Sequence, residues 1–417
     1  VLSNDANDYI GVTRITGVSA SGALAVDTLA DGGQVSGIGR SSADSSNIVL
    51  ETGGELRYTG ATDSTNRGFT LASGGRIGVS QAATTLTISG VAVGTGALIK
   101  EGDGTLLLSG LNTYSGGTTA NGGRLVAGSN QAFGGAANGA GAGRLTVNTL
   151  ASVDIGDFDV WVGGLQGDGA VTVGALGTLQ TNAAAEFTGV ISGDGGVLVG
   201  GYTQTMTGCS NTYAGPTTIS SASLSTDCLA NGGQASGIGA SDSASENLIL
   251  DGGTLIYTGG DISIDRGLLL QGNGALTVQS GTTTLGISGA ITGGGNLAKQ
   301  GDGTLELSGA NDYTGGTNVY GGAVRALSAS ALGTGGVRMG LAGTRLDLTA
   351  VAGSAVSVGW IDDSVANADA ASVGDIDLGA TTLTITQGLA GLGVGGRANY
   401  AGVISGTGGV VKAGGSI

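Results

Sequence analysis

The sequence predicts an all-β fold, a parallel β-solenoid, and three observations carry that prediction. Glycine supplies 89 of the 417 residues, against a usual share of about 7%. Short apolar runs alternate with period two between glycines, the mark of half-buried strands closed by tight turns. The chain also repeats itself at fixed offsets, which is how solenoids are written. Forty per cent of the residues are hydrophobic, so there is material for a core and the chain does not read as disordered.

The strands follow from these runs. In TTLTISG (84–90), Leu86 and Ile88 point to one side while Thr85 and Thr87 point to the other. In GTLLLSG (104–110), Leu106 and Leu108 share a face. No segment sustains a helical period with caps. The single proline, Pro216, fits strands whose N–H groups all enter ladders, since proline removes one. Aromatics are only 4%, which suits a narrow core filled by Ala, Val, Leu and Ile, where large aromatic rings are rarely expected. Gly and Asn are expected at the corners, where φ is positive.

The repeats set the organisation. LADGGQVSGIG (29–39) returns as LANGGQASGIG (229–239), and KEGDGTLLLSGLNTYSGGT (100–118) returns as KQGDGTLELSGANDYTGGT (299–317). The offset is 200 residues and then 199. Two related modules, 1–200 and 201–417, are therefore expected within one continuous solenoid, each of about two 100-residue blocks. A shorter period sits inside them. Asn-x-Tyr-x-Gly occurs at Asn112/Tyr114, Asn211/Tyr213 and Asn311/Tyr313, each 18 residues after a Gly-x-Gly that begins at Gly94, Gly193 or Gly293. With one coil taken as roughly 20 residues, the chain makes roughly 20 coils.

A fourth copy of the motif is split between the two ends of the sequence. Gly406 and Lys412 match the Gly-x-Gly and the lysine of the other copies. Counting on from Lys412 through Ile417 to Val1 brings the asparagine to Asn7 and the tyrosine to Tyr9. The 417 residues are thus expected to be one period of a head-to-tail array, either a tandem repeat in one polypeptide or stacked subunits. The chain's first expected partner is itself.

Charge and composition exclude several functions. The formal net charge is −16 and only three lysines occur, Lys100, Lys299 and Lys412. Nucleic-acid binding is not expected, because phosphate contacts need clustered Lys and Arg. There is no run of 18 apolar residues and hence no expected membrane span. Residues 1–20 do not read as a signal peptide, so export signals are expected outside this sequence. The absence of histidine excludes histidine catalysis and histidine metal ligation. No calcium-binding nonapeptide motif occurs, so no cofactor or metal is expected.

The two cysteines, Cys209 and Cys228, lie 19 residues apart, close to one coil. Stacked on adjacent coils their Cα atoms would lie about 4.8 Å apart, within disulfide range. We expect a disulfide rather than two small buried residues. Thr28 stands where the second module has Cys228, so the bridge is a local staple.

Several segments resemble the passenger-associated transport repeat of bacterial autotransporters. They are GTGALIKEGDGTLLLSGLNTYSGGTTANGGRLVAG (94–128), ISGDGGVLVGG (191–201) and GGGNLAKQGDGTLELSGANDYTGGTNVYGGAV (293–324). VWVGGLQGDGAVTVG (160–174) looks like the rung that often precedes it. The resemblance implies a right-handed β-helix, secretion across a Gram-negative envelope and display at the cell surface. It implies a passenger fragment, or a subunit processed from one, whose repeats help folding during export. The family shares no catalytic residues, so none transfers to this chain.

Candidate chemistry is sparse. Hydrolysis of polysaccharides needs two spaced carboxylates. Asp154, Asp157 and Asp159 form one acidic cluster, with Asp157 and Asp159 on alternate positions, and Asp362 and Asp363 form another. Solvent-facing acids beside a turn are the simpler reading of both. Trp161 and Trp360 are candidates to stack on sugars, with covering a coil edge as the simpler reading. The sequence shows little room for a long loop insertion, and 350–378 is the best candidate for one. The expected function is a structural rod or fibre outside the cell. The alternative is an adhesin that binds glycans or partner cells through its lateral face. A polysaccharide-acting enzyme comes third, and no catalytic residue is assigned.

Overall fold

The structure, a computed structural model, describes residues 2–17, 22–136, 139–351, 355–363, 373–386 and 400–413. The join between residues 414–417 and residue 1 lies outside the described residues, as do 352–354 and 364–372 of the expected insertion. The chain divides into two units, Val1–Met206 with Ser210–Gly215, and Thr207–Cys209 with Pro216–Ile417. Both are parallel β-solenoids built of strands of two to five residues.

In the first unit the longest sheet gathers Ala23–Val26, Gly54–Tyr58, Gly75–Val79, Leu98–Glu101 and Thr118–Ala120 in order, and continues through Leu145–Val147 to Thr203–Met206. A second sheet runs from Asp63–Thr65 through Thr85–Ile88 and Thr105–Leu108 to Val190–Gly193. Shorter sheets such as Thr13–Thr16, Ile48–Glu51, Phe69–Leu71 and Ala92–Gly94 close the third face. The second unit repeats the scheme with Ser223–Thr226 through Ile361–Asp363, and with Ile262–Ile264 through Ile404–Ser405.

Each strand pairs in parallel with the strand one coil on, and the register stacks like on like. Leu86, Leu106, Leu125, Val153, Val171 and Ile191 form one inward column, all fully buried. Thr85 and Thr87 alternate with them on the outer side. Each full burial of such a side chain contributes about 1.5–3 kcal/mol. The fold therefore grows by adding equal layers.

The coils number about 15, not 20. Their length is uneven. Leu98 pairs with Thr118, a step of 20 residues, but Ala23 pairs with Glu55 and Ser223 with Thr254, steps of 32 and 31. Each long coil carries an inserted loop between Val26 and Ile48 or between Thr226 and Leu248. Room for loop insertions was thus larger than the sequence implied. The repeated glycines of LADGGQVSGIG hide the loop, because they resemble the turn glycines elsewhere.

The core also departs from the narrow, aromatic-poor interior that composition suggests. Tyr114, Tyr213 and Tyr313, one in each internal Asn-x-Tyr-x-Gly, are fully buried. The motif residues 112–115, 212–214 and 311–313 form no strand. Rings fit on strands as well, since Tyr58, Phe69, Phe187 and Tyr257 are buried on theirs.

Positive φ falls differently from expectation as well. Among the described residues it is found on glycines and on Thr52 and Ser221, and on no asparagine. The first glycine of each Gly-x-Gly is one such position, with φ of +115° at Gly94, +104° at Gly193 and +108° at Gly293. A side chain there would also strike the preceding coil, since a Cβ on Gly94 would lie 2.2 Å from the Leu71 carbonyl oxygen.

Candidate functional site

The asparagines that lack positive φ have another task. At Asn112 and Asn311 the third face of the coil has no strand, at Asn211 the face of the second sheet has none, and in each the side chain supplies the missing ladder. Asn112 Oδ1 accepts from the Ala92 N–H at 2.7 Å and its Nδ2 donates to the Ala132 carbonyl at 2.7 Å. Asn311 does the same with Ile291 and Ala331, and Asn211 accepts from Ile191 at 2.8 Å. At Asn112 and Asn311 one buried side chain thus ties three successive coils. The tyrosines lie two residues further on. The Tyr114 and Tyr313 hydroxyls share hydrogen bonds with Thr118 and Thr317. Burial pushes both phenols well above the ordinary range. Tyr213, buried as completely as these two, is a core residue and no part of an exposed face. Asn7 and Tyr9 keep part of this pattern. Asn7 donates to Gly37 and Tyr9 meets Thr13 at 2.8 Å, but Tyr9 is 41% exposed.

The matching lysines are buried as well. Lys100 Nζ donates to the carbonyls of Glu101, Gly102 and Gly122 at 2.7–3.0 Å, and Lys299 to those of Gln300, Gly301 and Gly321. All three ammonium protons are used, so the charge is tolerated. Burial still pushes both groups down to about 8. These residues are built for structure and reach no solvent.

Sequence reasoning missed Arg67 and Arg266. Arg67 is buried and holds the first inserted loop through Ala30, Gln34, Gly39 and the Ser41 hydroxyl. Arg266 holds the second loop through Ala230, Gln234, Gly239 and Ser241. The signal was present, since both arginines precede a glycine at the module offset of 199.

Cys209 and Cys228 are joined as a disulfide within the second unit, with Cα atoms 5.4 Å apart. Asp159 lies on the strand Asp159–Val162, while Asp157 lies in the turn before it and accepts from the Leu176 N–H at 3.2 Å. The two acids therefore do not share a strand face. Asp154 pairs with Arg124. Trp161 packs over Gly139, where a Cβ would approach its ring to 2.8 Å. Trp360 covers Gly336 in the same way and lies under the Arg338 guanidinium at 5.5 Å. Arg338 pairs with Asp362 at 3.3 Å, and Asp363 accepts from Ala401. The structure brings Trp360 and Asp362 together on Arg338. Among the described residues no three His, Cys, Asp or Glu side chains gather to hold a metal ion.

A cleft among the described residues was absent from the candidates. On the outer side of the longest sheet of the first unit, Glu55 stands in register with Arg76, and Arg57 with Gly78 and Glu101. Gly78 offers no side chain, and its neighbours wall a cleft of about 390 Å³ lined by Glu55, Arg57, Arg76, Ser80, Glu101 and Gly102. Arg57 grips Glu55 with two bonds of 2.7 and 2.9 Å, which raises its affinity for its proton. Arg76 reaches Glu101 at 3.3 Å, and Asn121 donates to the same carboxylate. The cleft carries two cations and two anions and has no net charge.

The fold and its buried ties thus define a parallel β-solenoid whose coils are joined by repeated Asn-x-Tyr-x-Gly motifs. The chain matches the passenger-associated-transport-repeat family at residues 98–127, 200–225 and 297–326. It is similar to the adhesin BmaC autotransporter of Brucella suis biovar 1 (strain 1330), with 47% identity over 418 residues. That alignment covers 99% of this chain and 12% of the relative's length. No solved structure matches the chain.

Proposed function

We propose that this chain is part of an adhesin-like autotransporter passenger, displayed on the bacterial cell surface outside the outer membrane, and that it is not an enzyme. The observation that carries this reading is the 47% identity to an autotransporter adhesin across nearly the whole chain. The fold supports it, since the buried asparagines, lysines, Arg67 and Arg266 serve contacts between coils or hold the inserted loops. The outer faces are left for partners. The test is attachment: purified chain added to host cells is expected to reduce adhesion of bacteria carrying the relative. If it leaves adhesion unchanged at saturating concentration, the adhesin reading fails.

A finer reading concerns repetition. We propose that the 417-residue pattern recurs head to tail. The partial motif at the start uses the bonds of the internal copies, Asn7 to Gly37 and Tyr9 to Thr13. The partial motif near the end does likewise. Gly406 has φ of +116°, and Lys412 donates to the carbonyl of the next residue as Lys100 and Lys299 do. A chain carrying this sequence twice is expected to bury the second copy's Tyr9, read by protection from iodination. A second Tyr9 as reactive as the first would sink the idea.

A further inference from the structure

We propose that the cleft over Gly78 binds the end of a neutral, hydroxyl-rich saccharide. The proposal rests on the adhesin reading for its biological setting but on the cleft alone for its chemistry.

Three observations point to that ligand class. The volume, about 390 Å³, falls at the small end of the range for small-molecule sites, roughly 300–1,000 Å³. The lining alternates acceptors and donors, Glu55 and Glu101 against Arg57 and Arg76, with Ser80 able to do both. Sugar hydroxyls donate and accept at once, so such a wall satisfies them where it would leave a simple anion facing carboxylates. The local charge sums to zero in a chain of net charge −16, so no field gathers acidic ligands.

The second unit supplies an internal control. At the offset of 199 residues it carries Thr254, Ile256, Ala275, Thr277 and Gln300 where the first has Glu55, Arg57, Arg76, Gly78 and Glu101. The inward residues are kept, so the coil itself does not require the charged set. Gly78 has no positive φ, and Thr277 stands at the matching position where Thr254 replaces Glu55. The glycine is explained by space: a Cβ on it would lie 2.4 Å from Glu55 Oε1.

A single polar site of this kind binds weakly, and recurrence along a long passenger multiplies it. The test uses the purified 417-residue chain and a panel of neutral methyl hexopyranosides and hexose disaccharides, read by saturation-transfer NMR. At least one member is expected to take up saturation with a dissociation constant in the millimolar range. Gly78→Thr, whose side chain displaces the Glu55 carboxylate, is expected to weaken that binding about tenfold, as loss of one or two good hydrogen bonds would. Arg76→Ala is expected to do the same, while Thr277→Ala leaves binding intact. No saturation with any member overturns the proposal, as does binding that ignores Gly78→Thr. Stronger binding of uronic acids than of neutral sugars also overturns it. Cell attachment by the wild-type chain is scored separately, so loss of the cleft proposal leaves the adhesin reading standing.

Discussion

Aligned at an offset of 199 residues, the two units agree inside and disagree outside. Leu56, Tyr58, Ile77 and Lys100 answer to Leu255, Tyr257, Leu276 and Lys299, and all eight are buried. On the outer faces the charged pairs stand at different positions in the two units. The first unit has the Glu55–Arg57 and Arg76–Glu101 pairs on its longest sheet. The second has Thr254, Ile256, Ala275 and Gln300 there, and instead runs Glu306, Arg325, Asp347 and Asp377 in register down its other long sheet. Arg325 reaches Glu306 at 2.9 Å, and Arg345 reaches Asp377 at 2.7 Å. The first unit has Leu107 and Val126 where Glu306 and Arg325 stand. An inward position must fill a fixed volume or satisfy a fixed carbonyl, so it is constrained. An outward position makes pairs worth about 0–1 kcal/mol, so it is free to carry recognition.

The comparison can be broken most forcefully at the loop clamps. Arg67→Ala and Arg266→Ala are each expected to cost about 3–5 kcal/mol, because buried carbonyls lose their donor together. Urea unfolding measures this, and unequal losses would show that the inserted loops are not equivalent. Next comes the disulfide, which only the second unit has. Reduction is expected to cost that unit about 3 kcal/mol through the loop it closes. Protease nicking in urea should then map to residues beyond 216 first, and nicking that begins in the first unit would contradict this.

The asparagines give a smaller and graded effect. Asn112→Ala strands a buried N–H and a buried carbonyl and is expected to cost about 2–3 kcal/mol. Asn7→Ala removes one half-exposed bond and is expected to cost under about 1 kcal/mol. Equal values would mean that the partial copy is as well built as the internal ones.

The lysines predict a pH response shared by both units. Their folded value of about 8 lies below the ordinary value of about 10.4. Between these limits the unfolded chain binds more protons than the folded one. Stability therefore rises with pH across that window, by on the order of 1 kcal/mol per pH unit for each lysine. Above about pH 10 the trend reverses, since burial holds Tyr58 up at about 12, with Tyr114 and Tyr313 also raised. A melting series should show the maximum, and Lys100→Met should halve the rise. Least of all, Arg325→Ala is expected to change stability by under about 1 kcal/mol. A larger loss would place the outer ladder among the structural elements.

The sequence made the fold legible because period-two runs recur through the described strands and the module offset holds over much of the chain. Leu86, Ile88, Leu106 and Leu108 face inward as their alternation requires. The burial of Tyr114, Tyr213 and Tyr313 was not legible from composition, because a residue's size does not say where the coil drops a strand. Coil length was less legible too, since a glycine-rich inserted loop and a glycine-rich turn look alike until Arg67 is seen closing one of them. The cleft was not legible at all. It depends on which residues meet across coils, Glu55 with Arg76 and Gly78 with Glu101, and these lie 21 and 23 positions apart. Unequal coils hide such pairings from any fixed period. Acids clustered along the sequence, such as Asp157 and Asp159, drew notice instead, although the turn separates them.

The three-coil tie made by a buried asparagine has a mechanical consequence. Asn112 holds the coil before it through Ala92 and the coil after it through Ala132. A coil pulled from such a stack cannot leave alone, because its neighbour's side chain goes with it. We expect a segment stretched from its ends to lengthen in jumps of several coils rather than coil by coil. An organism that holds on to a surface under flow would gain a tether that resists small loads stiffly and yields to large ones in steps.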